Sequence, residues 1–161
     1  MEKAFLEIVN TNRALIFKVC NMYCNDQENR KDLFQEVVLQ LWKSYPSFRK
    51  ASANSTWIYR VALNTAISNF RKESRKPAGV SLTLQEFEIP DLSESLAEKE
   101  KSLALHHVIS QLSSIEKAII MLYLEEKSYE EISEIIGIST SNVGVRLNRI
   151  KSKLSKLIKT Y

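Results

Sequence analysis

Residues 128–153 read SYEEISEIIGISTSNVGVRLNRIKSK, two short amphipathic segments on either side of a glycine. Ser128 and Glu131 make a capping box, in which the hydroxyl accepts from the N3 backbone N–H and the carboxylate reaches back to the cap. Ile132, Ile135 and Ile136 follow at helical spacing. Gly137 then stands where a helix ends in the left-handed region, which a residue without Cβ enters freely. After Ile138 the polar run Ser139-Thr140-Ser141 opens a second helix. Its Val143, Leu147, Ile150, Leu154 and Leu157 form an apolar seam at spacings of four and three. Two helices across so short a turn, the second one basic, make a helix-turn-helix signature. Beside the seam Asn142, Arg146, Arg149 and Lys153 form one polar stripe. Amide and guanidinium groups bond base edges in a major groove, while ammonium groups neutralise phosphates. Glu130, Glu131 and Glu134 are confined to the first helix and are expected to face away from DNA. A plain helical hairpin with a basic tail is the simpler alternative.

The rest of the chain is also helical in pattern. Ser113-Ser114-Ile115-Glu116 is another capping box, ahead of Ala118, Ile119, Met121 and Leu122. Phe5, Ile8, Val9, Leu15, Ile16, Val19 and Met22 predict one helix over residues 2–23. Asn25 and Asp26 are turn formers and candidate caps. From Asp32 to Trp42 an amphipathic helix carries Leu33, Phe34, Val37, Val38 and Leu41 inward, with Asp32, Gln35 and Glu36 on its wetter side. It should stop before Tyr45-Pro46, because a residue preceding proline avoids the helical region. Ser47 to Ser55 reads as a polar loop with Arg49 and Lys50. Thr56 to Lys72 is helical again, with Ile58, Val61, Ala62, Thr65, Ala66 and Phe70 inward and Trp57, Arg60, Asn64 and Arg71 on the other face. Rings and arginines together suit unstacked bases, although Trp57 alone could equally cover the edge of the core. Pro77-Ala78-Gly79 breaks the helix, and Val80 to about Leu92 reads as a linker.

Composition limits the choice further. Three glycines and three prolines in 161 residues leave few turns for a sandwich or barrel, so the expected class is all-α. The expected architecture is two small helical domains, residues 1–76 and 103–161, joined by an acidic linker over 77–102, with the helix-turn-helix in the second. Residues 1–83 carry a net charge of +6, 84–102 of −4 and 103–161 of +2, and no acid follows Glu134. Basic lobes favour a polyanionic partner and the acidic strip is repelled by it. No apolar run approaches the roughly 20 residues of a membrane span, and Glu2 and Glu7 argue against a signal peptide. No membrane insertion and a cytoplasmic location are therefore expected. Cys20 with Cys24, and His106 with His107, lack the compact set of four ligands that a structural zinc site needs. A glycine-rich phosphate loop, G-x-S-x-G and H-E-x-x-H are absent from the sequence, so neither a cofactor nor enzymatic activity is expected.

Taken in order, these motifs resemble the extracytoplasmic-function group of bacterial RNA polymerase sigma factors. In the first lobe the resemblance rests on Asp32-Leu33-Phe34-Gln35-Glu36-Val37, Leu41-Trp42, Trp57-Ile58-Tyr59-Arg60-Val61-Ala62-Leu63-Asn64 and Phe70-Arg71-Lys72. In the second it rests on Leu112 to Glu116, Tyr129-Glu130-Glu131-Ile132, Gly137-Ile138-Ser139 and Asn142-Val143 to Arg146-Leu147. The resemblance implies a helix with Asp32, Gln35, Glu36 and Leu39 that grips the clamp coiled coil of the largest polymerase subunit. It implies that Arg49, Lys50, Asn54, Ser55, Trp57, Arg60, Asn64 and Arg71 open the minus-ten promoter element and hold its flipped bases. Ser139, Thr140, Ser141, Asn142, Arg146, Arg149 and Lys153 would serve the minus-thirty-five element, on a module that packs on the flap of the second-largest subunit. The acidic stretch from Glu86 to Glu100 would thread toward the RNA exit channel. Implied partners are core RNA polymerase, promoter DNA and, as a further candidate, an anti-sigma factor.

One position pair departs from the family pattern. Members usually carry a basic or polar residue and then a small polar one just before the arginine at Arg146, and here these are Gly144 and Val145. Gly144 offers DNA no side chain, costs about 1 kcal/mol in a helix interior relative to alanine, and could permit close backbone approach. A stand-alone helix-turn-helix regulator of duplex operators is the runner-up reading, and a helical protein-binding adaptor the third. Both leave features unused: the Asp32 to Trp42 and Trp57 to Asn64 patterns in one case, the basic tail in the other.

Overall fold

The computed structural model describes residues 2–48, 54–75 and 96–159, and over these the chain is helix and turn, without a strand. The chain divides into two compact units, residues 1–85 and 86–161. No helix among the described residues is long and apolar enough to cross a membrane. Arg49, Lys50 and residues 77–95 of the linker expected over 77–102 lie outside the described residues.

The first unit holds α1 (Glu2–Thr11), α2 (Arg13–Tyr23), α3 (Gln27–Ser44), a 3-10 turn at Tyr45–Ser47 and α4 (Asn54–Arg75). The single helix expected over 2–23 is in fact two. The break falls at Asn12, whose amide Nδ2 donates to the Ile8 carbonyl at 2.9 Å while its backbone N–H is shared between Ile8 and Val9. A short polar side chain that competes for backbone carbonyls is what interrupts the run. α3 starts at a true cap, with the Asp26 carboxylate accepting from the Asn29 N–H at 2.7 Å. It ends at Ser44, and the tighter 3-10 turn that follows carries Pro46 in its first positions.

α2, α3 and α4 pack on one another around Ile16, Val19, Cys20, Leu33, Val37, Leu41, Ile58, Ala62, Leu63 and Ala66, all buried. Each fully buried Ile, Leu or Val among them contributes about 1.5–3 kcal/mol. Because α4 meets both α2 and α3, its buried surface wraps well beyond a single stripe: Thr56, Trp57, Ile58 and Tyr59 are buried in succession.

The second unit comprises α5 (Leu96–Ser110), α6 (Ser114–Leu124), α7 (Tyr129–Ile136) and α8 (Thr140–Lys159). The stretch read as linker is thus already helical from Leu96. Both capping boxes form: Glu116 N–H to Ser113 Oγ at 3.2 Å with Ser113 N–H to Glu116 Oε1 at 2.9 Å, and the same pair at Ser128 and Glu131 at 3.1 and 3.2 Å. α8 packs on α5, α6 and α7 through Val143, Leu147, Ile150 and Leu154. Gly137 closes α7 at φ +86°, its N–H donating to the Ser133 carbonyl. The Ser133 hydroxyl in turn donates to the Ile138 carbonyl, which pins the turn.

Two glycines should therefore respond oppositely to alanine. Gly137→Ala forces a Cβ into the left-handed region and should destabilise by about 1–2 kcal/mol. Gly144→Ala places a Cβ in ordinary contact, 3.5 Å from the Tyr129 ring, and should stabilise by up to about 1 kcal/mol. Denaturant unfolding followed by far-ultraviolet circular dichroism measures both.

Candidate nucleic-acid interface

Three surfaces carry the residues that the sequence singles out. On α3 the core side is Leu33, Val37 and Leu41, so the ridge Asp32, Gln35, Glu36 and Leu39 is left exposed, as expected. Leu39 is 45% exposed, an apolar knob between polar neighbours. The Gln40 amide donates to Glu36 Oε1 at 2.9 Å and fixes that carboxylate. Asp32 and Glu36 also line a polar groove of about 640 Å³ between α3 and α4, whose other wall includes Asn64, Asn69 and Lys72. The structure thus brings Asn64, on the DNA side of the sequence reading, to the same groove as the acidic ridge. Sequence spacing alone gives no sign of that meeting.

The second surface is the start of α4. Asn54 and Asn64 are exposed, Ser55 and Arg60 half-buried, and Arg71 exposed near the far end. Asn54 stands at a hollow lined by Glu7, Thr11, Asn12, Tyr45 and Phe48. Trp57 corrects the expectation of a wet aromatic face, since only 7% of it is exposed. Its ring stacks on Phe48 at 4.4 Å between centroids, and Tyr45 lies 6.2 Å away on the side of the 3-10 turn. Tyr45 continues to Trp42 and Phe5, so the rings link α1, α3, the turn and α4. A ring already stacked on protein is not open to a base. The reason lies in α4 itself, which is packed on two sides at this end, so that helical phase relative to Ile58 and Ala62 did not identify the exposed face.

The third surface is α8. The Ser139 hydroxyl accepts from the Asn142 N–H at 3.1 Å and so serves as the helix cap. Thr140, Ser141 and Arg149 are exposed, while Asn142 and Arg146 are half-buried. The stripe from Asn142 to Lys153 borders the packed side, and the end of the Lys153 side chain reaches another helix. Its Nζ lies 3.1 Å from Glu116 Oε1, the oxygen that also accepts the Ser113 N–H. Lys153 thus ties α8 to the start of α6 while its side chain stays about half exposed. At 3.6 residues per turn, the line opposite the buried seam is Ser141, Val145, Asn148, Ser152 and Lys156. All five are exposed. This line was readable in the sequence by taking the direction opposite the apolar seam in place of the stripe next to it. At Gly144 a Cβ would rest in ordinary contact with the Tyr129 ring of α7, 3.5 Å away, so packing does not require glycine there.

The thiols take no part in these surfaces. Cys20 and Cys24 are buried, and burial followed by the proximity of Cys24 pushes the Cys20 thiol up to about 12, which leaves it protonated and inert at neutral pH.

At Glu116 partial burial disfavours the charge, but the Ser113 N–H, Lys153 and the Ser113 hydroxyl outweigh it and hold the carboxyl below its ordinary range. A depressed carboxyl pKa adds stability above the unfolded pKa and loses it as pH falls through the folded value. Glu116→Gln should therefore lower stability at neutral pH, by about 0.5 kcal/mol for so exposed a pair. The difference from the parent chain should shrink as pH falls below the ordinary glutamate value of about 4.3 and vanish below the depressed folded value, which thermal melts across a pH series measure.

Comparison with known proteins agrees with this geometry. Residues 8–76 match the family model Sigma-70 region 2, and residues 102–154 match Sigma-70, region 4. The chain is 30% identical to the RNA polymerase sigma factor YlaC of Bacillus subtilis, over 80% of this chain and 77% of that one. It is 28% identical to the ECF RNA polymerase sigma factor SigW of the same organism, over 98% and 90%. With the RNA polymerase sigma-H factor of Pseudomonas aeruginosa it shares 24% over 98% and 87%. In fold it is similar to the sigma factor RpoE of Bartonella quintana, solved with the anti-sigma factor NepR, at a TM-score of 0.71 and 19% identity, with 98% of each chain covered. CnrH, solved with the cytosolic domain of CnrY, gives the same TM-score at 17% identity, over 99% of this chain and 90% of that one. With an exposed acidic ridge, a polar-faced α4 and a helix-turn-helix in one chain, the protein belongs to the RNA polymerase sigma factors, in their extracytoplasmic-function group.

Proposed function

We propose that this sigma factor acts in the cytoplasm as a non-catalytic loader, which binds core RNA polymerase, directs it to particular promoters and helps to open them. The observation that carries the proposal is the presence in one chain of both matched regions, each with an exposed polar surface of its own. Residues 1–76 and 103–161 are the working lobes, and 77–102 the acidic linker. Asp32, Gln35, Glu36 and Leu39 meet the clamp of the largest subunit, as their shared exposed ridge on α3 supports. Asn54, Ser55, Arg60, Asn64 and Arg71, with Arg49 and Lys50 ahead of them, take the minus-ten element. Trp57 acts there as a positioning residue, holding Phe48 and with it the approach to that segment. The outward line of α8, together with Asn142, Arg146 and Arg149, takes the minus-thirty-five element, while the same lobe packs on the flap. An anti-sigma protein restrains the chain, as NepR and CnrY each accompany a structural neighbour.

The mechanism is physical. Each lobe has few contacts with which to hold DNA. Attachment to polymerase turns the second contact into an intramolecular one, at an effective concentration of roughly millimolar for a short tether. Capture of flipped bases then offsets an unstacking cost of a few kcal/mol.

Affinity capture of core polymerase by the full chain, then run-off transcription, tests this. Promoter-dependent RNA should need both core and chain, and a chain that does not bind core refutes it. Arg60→Ala should reduce transcription about tenfold, the loss of one charge-assisted contact, with core binding unchanged. A template melted in advance should restore the rate, and equal loss of core binding and transcription would contradict the role of Arg60.

A further inference from the structure

One side chain on the outward line of α8 is apolar. Val145 is 46% exposed and lies opposite the buried Val143, Leu147, Ile150 and Leu154, so it is the foremost side chain of the first two turns. Its neighbours on that face are polar: Ser141 one turn before, Asn148 and Arg149 one turn after. Valine gains nothing as a helix former here, since a β-branched chain is inferior to alanine, lysine or arginine on an open face. The preceding residue, Gly144, has no side chain. Hence no polar group from that position extends past Val145. With no acid from Ser139 onward, the face meets a polyanion without like-charge repulsion.

The residues that reach base edges are those near the N-terminal end of the second helix of a helix-turn-helix. A major-groove edge presents donors, acceptors and one apolar group, the thymine methyl. Ser141, Asn142 and Arg149 match the polar groups. An isopropyl group matches only the methyl. Resting on the proposed function, we propose that Val145 is a specificity-determining residue that packs on the 5-methyl group of one thymine in the upstream promoter element.

The test uses holoenzyme assembled from core polymerase and the full chain. It selects duplexes from a synthetic pool randomised over the upstream element, in which thymine is the only base with a major-groove methyl. Each thymine of the selected element is then replaced by uracil, which keeps the base pair and removes the methyl. At one position the replacement should weaken binding about fourfold, the worth of burying one methyl-sized group. That penalty should disappear in Val145→Ser, whose unaltered circular dichroism melt shows it folded, and persist in Val145→Ile. Uracil tolerated at every position, or a penalty unchanged in Val145→Ser, overturns the assignment and leaves the proposed function standing. A pool from which no upstream element is enriched overturns the reading of α8 and this inference with it.

Discussion

The burial of Val143, Leu147, Ile150 and Leu154 against α5, α6 and α7 is the constraint on which the second unit depends. A helix that commits one side to a core has no freedom left in where its other side points. The turn at Gly137 and the caps at Ser128 and Ser139 bring α8 to that core in register, and the Lys153–Glu116 pair ties it further along. Function then follows from what stands on the uncommitted side, which is free of acids and carries hydroxyls, amides, guanidinium groups and a single valine. Buried aliphatic contacts supply most of the energy. The polar contacts, worth far less each, set direction and ends.

The first unit solves a different problem. Its α4 is gripped from two sides, and the rings from Phe5 through Trp42, Tyr45 and Trp57 to Phe48 bind the approach to the 49–53 segment to the helical core. The residues proposed to hold single-stranded DNA need a rigid base, since a displaced contact loses its geometry before it loses its chemistry. Aromatic packing gives that rigidity at little entropic cost, because each ring has few rotamers to lose. In this arrangement Trp57 supports the site without lining it.

What could be read from the sequence was whatever depends on local chemistry. Capping boxes, the left-handed glycine and the α8 seam involve residues within one turn of each other, and each forms as the pattern requires. The exposed ridge of α3 was equally legible, because one flank of that helix is packed and the other is wet. Failures arose where tertiary contacts override periodicity. The break at Asn12 comes from a side chain competing for backbone carbonyls within an otherwise helical pattern. Trp57 was misplaced because a helix packed on two neighbours has no single apolar stripe. The pairing of Lys153 with Glu116 had no local signal, because its partner lies on another helix far away in sequence. The groove shared by Asp32, Glu36 and Asn64 joins α3 and α4, and no short-range pattern encodes it.

If two modest DNA-binding surfaces gain their specificity from the polymerase that carries them, the contrast between free and bound chain is the decisive quantity. Fluorescence anisotropy can follow the chain alone, and then with saturating core polymerase, on a duplex carrying both promoter elements and on a scrambled duplex. The account predicts weak, salt-sensitive binding by the free chain with scarcely any preference between the two. With core present, the preference should rise toward the thousandfold or more that is typical of specific recognition. Tight and selective binding by the free chain, unimproved by core polymerase, would contradict it.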